Sequence, residues 1–180
     1  GAKTVRGLRG PKLSLILVSG LFLCVAALLG YVNLTFRMAG PADETQTIFV
    51  EPGMGLNSIS HRLASAQIIA NPVVFRFGAR LFGEEVPIKT GEYEIPAHSS
   101  MADILSLMQS GMVVMHRITV TEGATTGQVI DTLMRDERLQ GEIGDDAFAE
   151  GSLLPETYFF ARGDKRRDVL ERMRQAMNDK

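Results

Sequence analysis

Cysteine is nearly absent from this chain. The single one, Cys24, lies inside the longest apolar run, which excludes a disulfide framework and a cysteine-based zinc site. Neither charge sign prevails: 19 Lys and Arg stand against 21 Asp and Glu, for a formal charge of −2, and the pI is near 6.0. The chain therefore lacks the basic footprint of a nucleic-acid partner. Histidine is scarce, and His61, His98 and His116 have no metal-ligand spacing; they read as residues of a helix face, a loop and a strand edge. There is no G-x-S-x-G, no P-loop and no G-x-G-x-x-G, and "GMGLNS" lacks the lysine of a phosphate loop. The "KRR" run at 165–167 reads as a solvated helix face. No metal and no cofactor is expected.

Apolar residues, in contrast, make up 45% of the sequence, enough for a membrane segment plus one or two small folded units. Between Leu13 and Phe36 no residue is charged, and "LSLILVSGLFLCVAALLGYV" is long enough to cross a hydrocarbon core of about 30 Å as a helix rising about 1.5 Å per residue. Lys3, Arg6, Arg9 and Lys12 precede it, and Asp43 and Glu44 follow it. The positive-inside rule then keeps the N-terminus in the cytoplasm and exports the remainder. A cleaved signal peptide is the alternative, with "GPA" at 40–42 as its site. Its apolar core would exceed the usual length of about 7–15 residues and Arg37 interrupts the approach, so the segment reads as an uncleaved anchor. Leu-Phe-Leu before Cys24 does not suit lipid modification. The chain opens on Gly-Ala and closes on "QAMNDK", with no sign of a finished domain.

Beyond the polar connector "RMAGPADETQT", two stretches align without gaps. "IFVEPGMGLNSISHRL" (48–63) and "ITVTEGATTGQVIDTL" (118–133) match at Ile48 and Ile118, Val50 and Val120, Gly53 and Gly123, Ile59 and Val129, and Leu63 and Leu133. Alternating apolar residues predict a strand in each, the glycine a turn, and the spacing of Leu56, Ile59 and Leu63 an amphipathic helix. Duplication and a shared strand-turn-helix grammar both account for the match. Between the copies, Asn71 and Pro72 open a second helix. In "GEYEIPAHSSMADILSLMQSG", Tyr93 and Ile95 form a strand, Ser100 caps a helix faced by Ile104, Leu105 and Met108, and Gly111 ends it. A last helix is expected from Asp164 to Met177, with Val169, Leu170, Met173 and Met177 on one face. The expected class is α+β.

Carboxylates are the remaining candidates for chemistry. In "EGSLLPETYFF" (150–160), Glu150 and Glu156 flank Leu153, Leu154, Tyr158, Phe159 and Phe160. Such side chains could build an apolar wall against which a glutamate becomes a general acid. Alternatively the glutamates cap adjoining elements and the aromatics fill the core, which composition alone favours. Glu122, in "TEG", reads as a turn residue.

Taken in order, the N-terminal anchor, "VEPGMGLNSISHRL", "GEYEIP", "ITVTEG" and "EGSLLPETY" resemble the YceG-like endolytic murein transglycosylases of bacteria. The resemblance implies a cytoplasmic basic tail at 1–12, a transmembrane helix at 13–36 and a linker at 37–46. A LysM-like module with a connecting strand-helix unit would follow at 47–114, and the beginning of a catalytic domain at 115–180. It implies a single-pass protein of the bacterial inner membrane that cuts nascent peptidoglycan strands between N-acetylmuramic acid and N-acetylglucosamine, leaving 1,6-anhydro ends. One glutamate suffices there: it protonates the leaving oxygen, then takes the proton of the sugar's own 6-hydroxyl, and no water is added. Nothing between Tyr158 and Lys180 matches the family's catalytic stretch, so the general acid is expected beyond Lys180. Glu122, Glu150, Glu156, Thr157 and Tyr158 are then expected as substrate contacts. Ser152 stands where the family more often has an aromatic. The implied partners are glycan strands, the lipid bilayer through 13–36, and proteins of cell-wall synthesis. A non-catalytic peptidoglycan-binding anchor and a scaffold of a cell-wall synthesis complex are the alternative functions.

Overall fold

The computed structural model describes residues 10–83, 86–144 and 148–179, with side chains from Ser14 onward. Lys3, Arg6 and Arg9 lie outside the described residues. The first helix, α1, runs Gly10–Arg37. Its Ser14–Arg37 part is long and apolar enough to cross a membrane, and Leu15, Leu17, Leu21, Phe22 and Leu23 project away from the rest of the chain. Its last turns behave differently: Val32 and Phe36 are buried.

Then follow β1 (Gln46–Val50), α2 (Leu56–Ser65), α3 (Pro72–Phe82), β2 (Gly91–Ile95), α4 (Met101–Ser110), β3 (Met115–Thr119), α5 (Thr126–Arg135), β4 (Thr157–Ala161) and α6 (Arg166–Asn178). The fold is α+β, with two small two-stranded sheets. β1 pairs antiparallel with β2, Ile48 opposite Tyr93; β3 pairs antiparallel with β4, Ile118 opposite Tyr158.

Each sheet collects its own core. Ile48, Val50, Ile59, Leu63, Tyr93, Ile95, Ile104, Leu105 and Met108 are buried in one cluster, together with Phe36 of α1. Ile118, Val120, Val129, Leu133, Phe160, Val169, Leu170 and Met173 are buried in the other. The residues aligned at 48–63 and 118–133 thus occupy equivalent core positions. The correspondence extends further: counted from the paired tyrosines, Ile95, Ile104, Leu105 and Met108 fall in step with Phe160, Val169, Leu170 and Met173. Two β-α-β-α units stand in tandem, the first carrying α3 as an addition.

Local chemistry sets the boundaries. Asn71 Oδ1 accepts from the amides of Val73 and Val74, with Pro72 in the first turn of α3. Ser100 and Asp103 form a capping box at α4, as do Thr125 and Gln128 at α5. Gly111 closes α4 in the left-handed region, at φ 75°.

Three expectations change. α6 begins at Arg166, because Asp164 is committed to the turn after β4, where its Oδ2 accepts from the Ala161 amide. Met177 does not join Val169, Leu170 and Met173 in the core but remains 39% exposed. The connector after α1 is docked: the Gly40 amide donates to the His98 carbonyl, the His98 amide to the Ala42 carbonyl, and Ala42 is buried.

Candidate functional site

The turn from β3 into α5 faces the loop that leads into β4. Val120, Thr121, Gly123 and Ala124 on one side and Glu150, Gly151, Leu153 and Pro155 on the other line a cleft of about 390 Å³, with Met177 of α6 at its edge. Three links hold these walls together. The Val120 amide donates to the Glu156 carbonyl, the Thr126 amide donates to Glu150 Oε1, and the Thr126 hydroxyl donates to the Ala149 carbonyl. Thr126 opens α5, so the Glu150 carboxylate sits where unpaired amides and the positive end of the helix dipole favour an anion.

The candidate contacts divide by position. Glu150 lines the cleft, and Glu122 lies in the turn between Thr121 and Gly123, two of its lining residues. Glu156 is exposed, and its backbone carbonyl ties the walls together. The Thr157 hydroxyl pairs with that of Thr119 across the sheet at 2.9 Å. Tyr158 is half-buried and donates its hydroxyl to the Leu154 carbonyl at 2.9 Å, so that hydroxyl is committed to the fold. Burial raises its pKa, and the Glu156 charge adds to the effect.

The apolar wall suggested by "LLPETYFF" does not form as one surface. Leu153, Leu154 and Phe160 turn inward, while Phe159, alternating with Phe160 on β4, is 54% exposed. Glu122, Glu150 and Glu156 all face solvent. Among the described residues no apolar enclosure is built around them, and Glu150 fills the capping role that composition favoured.

A second polar cluster joins the two units. Glu92, on β2, is 8% exposed. Its Oε2 lies 2.6 Å from His116 Nε2 on β3, and its Oε1 accepts from Arg162 Nη1 at 3.2 Å. His116 Nδ1 faces Arg138 Nη1 at 3.0 Å; a guanidinium only donates, so Nδ1 accepts and the ring proton sits on Nε2, aimed at Glu92. Arg138 in turn grips Asp136 through Nε and Nη2. That hydrogen bonding holds the Asp136 carboxyl below its ordinary pKa despite partial burial. Arg162 also lies over the Phe49 ring at 5.2 Å, and Arg138 over Phe160 at 5.3 Å. His116 looked like an isolated strand-edge histidine in sequence because its partners are 24 and 22 residues away. Sequence carried no signal for Glu92 either: it alternates with Tyr93 just as the exposed Glu94 does, and only the second unit packed against it buries it.

Among curated proteins, none matches the chain. Among solved structures, a yceG-like protein of Listeria monocytogenes is similar at 20% identity, with a TM-score of 0.38 over 76% of this chain; the chain spans 55% of that protein's length. The model of the YceG-like family matches residues 48–180, from β1 through α6. The chain belongs to the YceG-like family.

Proposed function

We propose that the chain is the membrane-proximal portion of an endolytic murein transglycosylase. The observation that carries this reading is the family match over residues 48–180. In it, α1 spans the inner membrane with the N-terminus in the cytoplasm, residues 47–114 form a LysM-like glycan-binding module with its connecting strand-helix unit, and residues 115–180 begin the catalytic domain. The cleft between the β3–α5 turn and the 150–155 loop receives a glycan strand. Exposed backbone at Gly123 and Gly151 lets a sugar ring approach closely, and Thr121, Glu122, Glu150 and Glu156 offer hydrogen-bonding groups of the kind that orient sugars. The general acid is assigned to the protein beyond Lys180. It would first protonate the glycosidic oxygen, and the same carboxylate would then remove the 6-hydroxyl proton as that oxygen closes on C1.

Amide NMR of the detergent-solubilised chain, titrated with uncrosslinked glycan strands, tests where the substrate lies. Shifts concentrated at 121–124 and 150–156 are the expected result. Shifts confined to the first unit would support a glycan-binding anchor instead, and none anywhere would support a scaffold.

A further inference from the structure

α3 carries an apolar stripe that the protein leaves uncovered. Val73, Phe77 and Leu81 recur at every fourth residue and stand 45%, 54% and 51% exposed. They flank the buried residues Val74 and Gly78, so the apolar surface of α3 extends well past the part its own core uses. The polar residues Arg76 and Arg80 lie opposite the buried face and border the stripe on the side away from the core.

The position of α3 says what covers the stripe. Gly78 packs directly on the Phe36 ring, where any Cβ would intrude, and Phe36 also meets the rings of Phe75 and Phe82 at 6.4 and 6.2 Å. α3 therefore rests on the last turns of α1. The docked connector through Gly40 and Ala42 holds that arrangement. Counted from Leu13, a hydrocarbon core of about 30 Å is used up after about 20 residues. That count places its outer boundary near Val32, beside the exposed Tyr31, an aromatic of the type that favours this boundary. Phe36 lies four residues on, roughly 6 Å along the helix. The helix seated on it is thus at headgroup depth, where amphipathic helices bury an apolar face about 5–10 Å into the boundary.

We infer that α3 is a membrane-docking helix: Val73, Phe77 and Leu81 insert into the outer headgroup–acyl boundary of the bilayer that α1 crosses, with the Arg80 tip and Arg37 at the level of the phosphates. The inference rests on the reading of α1 as a membrane span. Docking would hold the first unit flush with the lipid surface rather than on a free tether.

The full chain with Cys24→Ser, reconstituted in phosphatidylethanolamine–phosphatidylglycerol vesicles, allows nitroxides at single cysteines: Leu21→Cys on α1, Val73→Cys, Phe77→Cys and Leu81→Cys on α3, and Gln128→Cys on α5 as a water-exposed reference. The three α3 positions are already solvent-facing, so the changes do not touch the core. The expected result is an oxygen-to-nickel-complex accessibility ratio several-fold higher at 21, 73, 77 and 81 than at 128. A lipid-like ratio at 21 with water-like ratios at 73, 77 and 81 overturns docking and leaves the membrane span standing. A water-like ratio at 21 overturns both. Spin–spin broadening at 77 that disappears on dilution with unlabelled chain would show the stripe covered by a second copy, and also overturns docking.

Discussion

Tyr93 and Tyr158 hold the same place in two successive units. Each lies opposite an isoleucine of the partner strand, Ile48 and Ile118. Each donates its hydroxyl to the carbonyl four residues back, Lys89 at 2.8 Å and Leu154 at 2.9 Å. The aromatic body anchors the strand in its core while the hydroxyl ties down the segment entering it. The equivalence reaches the second strand and helix of each unit, beyond the 48–63 and 118–133 match, which makes duplication the simpler account of the tandem.

The first prediction follows from burial. Tyr93 is fully buried, and desolvation raises its pKa above 10.0. An acid whose pKa is raised on folding contributes stability that is complete below its unfolded value, near pH 10, and is lost as pH rises from there towards the folded value. Tyr93→Phe should cost about 0.5–1.5 kcal/mol at neutral pH by losing the bond to Lys89. The deficit should shrink at pH 11, where only the wild type carries the alkaline penalty. Urea unfolding at both pH values measures this; an unchanged deficit would mean that the hydroxyl is not buried in solution.

The second concerns the turns. Gly53 and Gly123 both adopt φ +81°, and a Cβ at either would meet no atom within 4 Å. The cost of substitution is therefore confined to the backbone. Gly123→Val should destabilise by about 1–3 kcal/mol and Gly123→Asn by clearly less, since asparagine tolerates left-handed backbone. Equal melting temperatures for the two variants would contradict this. Gly78→Val has a different cause: its φ is ordinary, and the new side chain collides with Phe36, so the loss should fall on the α1–α3 contact.

Much of this was legible in the sequence, and the reasons are local. Asn71-Pro72, Ser100 with Asp103, and Gly53, Gly111 and Gly123 act within a few residues of themselves, so their meaning survives without tertiary context. Phe159 and Phe160 show what does not. Both are apolar and adjacent, but strand alternation sends one inward and one out, and only the register with β3 decides which. Arg138, His116, Glu92 and Arg162 come from four separated segments, so no window of sequence could have assembled them. Nor could it show Glu150 turning back to the first amides of α5, or Ala42 anchoring what reads as a polar linker.

The third prediction tests the join between units. Glu92→Ala leaves His116 and Arg162 without their shared carboxylate and should destabilise by about 1–3 kcal/mol. Asp136 adds a pH signature: its folded pKa lies below the ordinary value of an aspartate, so the stability it contributes is present above about pH 4 and is lost as pH falls through the folded pKa. Asp136→Asn should be less stable than wild type at pH 7, with the gap closing under strong acid. A constant gap across that range would remove Arg138 as the cause.

A fourth separates capping from catalysis at Glu150. Its carboxylate accepts from the Thr126 amide at 3.1 Å, so Glu150→Ala should cost about 0.5–2 kcal/mol, whereas Glu150→Gln keeps an acceptor and should lose little. If Glu150→Ala melts like the wild type, the Thr126 contact contributes nothing to stability.

The central claim is tested most directly by the products made from uncrosslinked glycan strands. Mass spectrometry should be applied to digests by the 180-residue chain and by a chain continued with the residues that follow Lys180 in its gene. The account predicts 1,6-anhydro ends from the longer protein and none from the shorter. In the longer protein, Glu156→Gln should lower turnover by about 10–100-fold through misplaced substrate, against the 100–10,000-fold expected, as an order of magnitude, for losing a general acid. Anhydro ends released by the 180-residue chain itself, and abolished by Glu150→Gln or Glu156→Gln, would contradict the account and make one of those exposed glutamates the catalyst.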